Sequence, residues 1–202
     1  VAAAADSLLA EATAAVRSLA LADGKLSAEA LEREQATTHG LAWLATYVES
    51  IRQLASYSDR MRAASRFGAT EELVVRIGLG EYAAQILGGI PMSQGEIVRL
   101  ASLGLSDRAI AAFGNDATRA AIADGNTAAN RAALIAAFAD AHDGIVGDAG
   151  LDETLDAMRG EMRKFCDAEV TPHAHEWHLE NAYIPMEVVE KLSELGVFGL
   201  TL

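Results

Sequence analysis

Residues 41–61 read Leu41-Ala-Trp-Leu-Ala-Thr-Tyr-Val-Glu-Ser-Ile-Arg-Gln-Leu-Ala-Ser-Tyr-Ser-Asp-Arg-Met61, and two apolar stripes run through them side by side. Leu41, Leu44, Val48, Ile51 and Ala55 form one; Trp43, Tyr47, Leu54, Tyr57 and Met61 form the other. The recurrence is helical, and a helix apolar over so wide an arc is packed on two sides, as at the centre of a bundle. Upstream, Ser27 is placed to cap this helix, and Glu29 and Glu32 suit the positive end of its dipole. One long helix is expected from about Ala28 to about Arg66.

The same period extends over the rest of the chain. Asp6 to Ala22 carries Leu8, Leu9, Ala12, Val16 and Leu19 as a stripe, and Asp23-Gly24 supplies a stop. Phe67-Gly68 ends the long helix, Thr70 caps a helix through Glu71 to Leu87, and Gly88-Gly89-Ile90-Pro91 breaks the pattern again. Ser93 to Leu103 and Ser106 to Phe113 read as short helices. Asn115-Asp116 and Gly125-Asn126 punctuate two more, the second running from Thr127 to about His142 on Ala-rich sequence. Asp152 is placed to cap a helix in which Leu155, Met158, Met162, Phe165, Glu169 and Val170 follow, mostly on one face. No stretch alternates apolar and polar residues as a half-buried strand would, so the expected fold class is all-α.

A chain of 202 residues, 51% hydrophobic, has material for one large core or two small ones. Gly144-Ile-Val-Gly-Asp-Ala-Gly150 holds three glycines in seven residues and reads as a connection. The expected division is residues 1–145, a linker at 146–150, and 151–202. A net charge of -13 repels phosphate backbones and anionic lipid, which argues against nucleic-acid and membrane partners. No apolar run approaches the roughly 18 residues of a membrane span, and Val1 to Ala5 lacks the basic start and long apolar core of a signal peptide. The single cysteine, Cys166, forms no internal disulfide. The expected compartment is the cytoplasm.

Several motifs offer chemistry and also a plainer account. His173, His175 and His178 could supply three imidazoles to zinc, but no companion ligand motif accompanies them, and an exposed segment after the helix break expected at Pro172 carries histidines without metal. Gly78-Leu-Gly80-Glu-Tyr-Ala83 matches a dinucleotide fingerprint, but this motif acts only in a strand-turn-helix context, and its surroundings are helical; close helix packing explains the glycines better. Cys166 stands near Arg163 and Lys164, which would favour a thiolate, yet it also adjoins Phe165, and packing is its expected role. Trp43, Tyr47 and Tyr57 read as core, His39 and His142 receive no role, and Glu32, Glu34, Glu71 and Glu72 read as a solvated face. No catalytic, cofactor-binding or metal-binding residue is assigned on these grounds.

Residues 165–200 carry a more specific signal. Val170, Pro172, Ala174 and Trp177, then Pro185, then Leu192, Leu195, Gly196, Val197, Phe198 and Gly199 fix position after position. This string resembles the opening of the acyl-CoA dehydrogenases, in which one helix ends on Val-x-Pro-x-Ala-x-x-Trp and the next on Leu-x-x-Leu-Gly. Leu31-Glu-Arg-Glu-Gln35 and His39-Gly-Leu-Ala-Trp-Leu-Ala-Thr-Tyr-Val-Glu49 further resemble members with a helical extension ahead of that opening.

The resemblance implies a helical N-terminal domain followed by a β-domain and a C-terminal four-helix domain, with FAD and an acyl-CoA thioester between them. It implies α,β-desaturation by a glutamate base with hydride passing to the flavin. An electron-transfer flavoprotein as acceptor and a homodimer or homotetramer are further implications. Members continue past Gly199-Leu-Thr-Leu202 into a Pro-Glu-x-Tyr-Gly-Gly loop, so the resemblance transfers no catalytic or FAD-binding residue to this chain. Two readings follow: the front of a flavin-dependent dehydrogenase with a structural helical extension, or a stand-alone helical interaction module.

Overall fold

The computed structural model describes residues 1–22, 24–93, 95–140 and 147–199, the backbone alone at Asp140. Helices dominate them, and they divide into two compact units, residues 1–150 and 151–202.

In the first unit α1 (Ala2–Ala20) buries Ala5, Leu8, Ala12, Val16 and Ala20, one residue per turn. The helix starts earlier than the sequence suggests because the alanines at 2–5 are the strongest helix formers. Asp6, expected at its start, instead pairs with Arg52 at 2.5 Å, and Leu19 lies 42% exposed beside the buried stripe. The helix ends in a two-residue antiparallel pair, β1 (Leu21–Ala22) with β2 (Lys25–Leu26), turned at Gly24 with φ +75°.

The expected long helix is two. Ser27 caps α2 (Ala28–Arg33) by accepting from the Ala30 N–H at 3.2 Å. The helix then opens at Glu34, ψ 24°, before α3 (Gln35–Ala63) begins. Thr38 Oγ1 donates to the Glu34 and Gln35 carbonyls, each at 3.1 Å, a back-bonding that bends helices. α3 is the central element: Leu44, Val48 and Ile51 are fully buried, and α1 and α4 (Ala69–Gly88) pack along it. Tyr47 meets Tyr82 of α4 edge to face, centroids 5.0 Å apart. α3 closes with Ser65 left-handed at φ 56° and the Arg66 N–H reaching back to the Met61 carbonyl.

The helix expected to open at Ser93 does not form over the described residues 95–98. Ile90–Pro91 (β3) pairs antiparallel with Ile97–Val98 (β4), and a single 3-10 turn, Leu100–Leu103, follows. Gly95 at φ +88° makes the turn available, and Val98 and Leu103 then fill the space beside Gly40 of α3, 3.1 Å from where a Cβ would stand. Next come α5 (Asp107–Phe113), capped by Ser106, α6 (Asp116–Asp124), capped by Asn115, and α7 (Ala128–Asp140). Gly80 lets α4 approach the end of α6: a Cβ there would lie 2.7 Å from the Ala121 carbonyl.

In the second unit Asp152 caps α8 (Glu153–Phe165), accepting from the Leu155 N–H at 2.8 Å. Rather than breaking at Pro172, the chain passes through a π-turn, Cys166–Val170, into α9 (Thr171–Leu179). Proline cannot donate to the fourth residue before it and crowds that carbonyl; widening the turn so that the Thr171 N–H bonds the Cys166 carbonyl accommodates both defects. α10 (Met186–Glu194) follows Pro185, tied back by Lys191 to Glu169 at 2.6 Å. Gly196 at φ +75° ends it, and a 3-10 turn, Val197–Gly199, follows.

Candidate functional site

The motifs singled out above do not converge. His173, His175 and His178 lie on α9, all exposed, with His173 stacked on Trp177 at 5.6 Å. At about 100° per residue, His173 faces well away from the other two. Among the described residues no group of three or more His, Cys, Asp or Glu is placed to hold a metal ion. Cys166 is half-buried at the start of the π-turn. His142 lies outside the described residues. His39 accepts from the Trp43 indole N–H at 3.0 Å.

The glycine fingerprint sits inside α4, where its glycines serve packing. A Cβ on Gly78 would stand 2.8 Å from Leu54, and one on Gly80 would meet the backbone of Ala121, Gly125 and Asn126. That space is filled by protein, with no strand before it and no open helix end. These residues therefore do not fit a dinucleotide, and no described residue is assigned to FAD.

Two polar clusters emerge that composition does not announce. Glu71, read as solvated, is 7% exposed. One carboxylate oxygen accepts from the Gly68 N–H at 2.8 Å and the other from the Asp148 N–H at 2.7 Å. Burial pushes its pKa up, but the N–H groups of Asp148, Glu71 itself and Gly68 outweigh it and hold the carboxyl below its ordinary value. Asp148 in turn receives the Arg66 guanidinium bidentately at 2.6 and 2.5 Å, and its carbonyl accepts from the Tyr57 hydroxyl. The second cluster joins α3, α4 and the turn before α7. Tyr47 donates to Gln85, and Gln85 and Asn126 each donate to Glu81, all at 2.5 Å. Those donors hold the Glu81 carboxyl below its ordinary range. Both clusters bind segments distant in sequence, and Tyr57 of the first also lines a groove along α3.

Two of the open spaces are mainly apolar. In the second unit a cleft of about 580 Å³ lies between α8 and the turn after α10, floored by Ala157, Met158, Met162, Leu195 and Val197. In the first, a groove along α3 is lined by Leu54, Tyr57 and Tyr82 with Glu49, Gln53 and Arg60 at its edge. The geometry defines a helical scaffold with two mainly apolar grooves, one of them built in part from the Leu-x-x-Leu-Gly turn.

Residues 152–202 match the acyl-CoA dehydrogenase, N-terminal domain. Over 198 residues, 98% of the chain, it is 46% identical to (2S)-methylsuccinyl-CoA dehydrogenase of Cereibacter sphaeroides. The chain spans 35% of that protein's length. The identity therefore runs through both units, including the helical unit ahead of the matched domain.

Proposed function

We propose that these residues are the N-terminal part of an FAD-dependent acyl-CoA dehydrogenase that converts (2S)-methylsuccinyl-CoA to mesaconyl-CoA, a step of the ethylmalonyl-CoA pathway. The observation that carries this reading is the 46% identity extending over 98% of the chain, not over the domain match alone. In it, residues 1–145 are a structural extension, 146–150 a linker and 151–202 the start of the helical domain. FAD, when bound, supplies the hydride acceptor, and residues outside this chain hold it. The present residues supply packing faces; the base and the flavin contacts belong to the remainder of the enzyme. An electron-transfer flavoprotein is the proposed acceptor, a homodimer or homotetramer the proposed assembly and the cytoplasm the proposed location. Among the described residues no helix is long and apolar enough to cross a membrane.

The full-length polypeptide, purified and assayed with an artificial electron acceptor, tests the reading. Flavin absorption with oxidation of (2S)-methylsuccinyl-CoA in preference to straight-chain acyl-CoA supports it. A colourless protein, or a flavoprotein inert towards every acyl-CoA, refutes it. Preference for another acyl-CoA keeps the reaction and discards the substrate.

A further inference from the structure

Gly144 to Gly150 reads in sequence as a connection, yet Gly147, Asp148 and Gly150 of its described part are held against the first unit. Asp148 is gripped on three sides: by Arg66 through two charge-assisted hydrogen bonds, by the Tyr57 hydroxyl on its carbonyl, and by Glu71 on its N–H. Its own Oδ1 accepts from the Gly150 N–H at 2.8 Å. Gly147 and Gly150 take positive φ, +77° and +67°. Their hydrogens face protein: a Cβ would stand 3.0 Å from Glu71 Oε1 at Gly147 and 3.0 Å from Met61 Sδ at Gly150. Neither position takes an ordinary side chain without strain, so the segment is shaped for this seat.

We propose that Gly147–Gly150 is a latch that fixes the point where the chain leaves the first unit, leaving Leu151 alone between the last anchored residue and the cap of α8 at Asp152. A connection rich in glycine would by itself be a loose tether. Latching converts it into a short one, and the grip can be released: the Arg66 and Asp148 side chains are 46% and 32% exposed, within reach of salt and of competing ions. Releasing Asp148 frees Gly150 and adds the residues from 147 onward to the movable length.

Hydrogen exchange on the full-length polypeptide tests this. The Asp148 and Gly150 amides should be protected in the unmodified protein, and Arg66→Ala and Asp148→Ala should each speed exchange of Gly150 by about tenfold or more while α1 and the middle of α3 stay protected. Raised salt should act in the same direction as Arg66→Ala. Should Asp148→Ala disturb the fold, Arg66→Ala decides, since it removes a half-exposed side chain and leaves no buried charge. Fast exchange at both amides in the unmodified protein, or rates unmoved by Arg66→Ala, would overturn the latch. The readout uses no acyl-CoA, so its result is separate from that of the activity assay.

Discussion

The two units are both helical and capped by the same chemistry, yet they use apolar residues in opposite ways. The first hides them: Leu8, Leu44, Ile51, Ile86 and Phe113 are fully buried, and small residues such as Ala5, Ala12, Gly80 and Ala83 bring the helices close. The second displays them. Val188 is its only buried hydrophobic residue among those described, while Leu155, Met158, Met186, Leu195 and Phe198 are each more than 40% exposed. Amphipathic stripes exist in both; only the first unit encloses its own. Capping and periodicity thus specify helices, while a core requires a second face to meet the first.

The sharpest way to break this comparison is to remove a large side chain from each unit. Phe113→Ala should cost about 3–5 kcal/mol in denaturant unfolding of the first unit. Loss below 1 kcal/mol would mean that the enclosed core is not the source of its stability. Glycine gives a pair of opposite sign. Gly80→Ala places a methyl against backbone and should destabilise by about 1–3 kcal/mol. Gly160→Ala, in α8 with nothing within 4 Å of the new Cβ, should raise the stability of α8 by up to about 1 kcal/mol, seen as increased amide protection there.

Acid sharpens it further. Because Glu71 titrates below its ordinary value of 4.5, its hydrogen bonds contribute stability above that value and lose it as pH falls through the folded-state pKa. Glu71→Gln should lower stability at neutral pH by about 1 kcal/mol and flatten the acid limb of the pH profile; an unchanged limb would remove Glu71 from the account. Smallest of all, Leu155→Ala in the displayed stripe should change stability by less than about 0.5 kcal/mol.

Much of the fold is legible in local sequence. Ser27 and Asp152 cap helices where their residue type says they should, and the doubled stripe of α3 is packed by α1 on one side and α4 on the other. What local sequence hides is set by distant partners. No breaker marks Glu34, where Glu-Arg-Glu-Gln is helix-forming throughout, yet the helix opens there. The hairpin at Ile90–Val98 depends on a place to pack beside Gly40, which helical periodicity cannot report. Glu71 looks like any helix-start carboxylate until Asp148, 77 residues on, arrives beside it. The family pattern is legible because it is a pattern of sequence: Gly196 terminates α10 through its left-handed backbone, and Pro172 signals an irregular helix. The three histidines were the most visible candidate ligands, and the faces of α9 separate His173 from the other two.

The π-turn at Cys166–Val170 sets the angular phase of everything beyond it. One additional residue per turn advances the chain by about 100° without a matching rise, so the outward faces of α8 and α9 are out of step by that amount. Combined with Pro172→Ala, loss of one residue of this turn, Ala168 for example, would restore the ordinary ladder and swing the stacked His173 and Trp177 about a quarter-turn round the axis. Length within this five-residue stretch therefore acts as a dial for the orientation of α9.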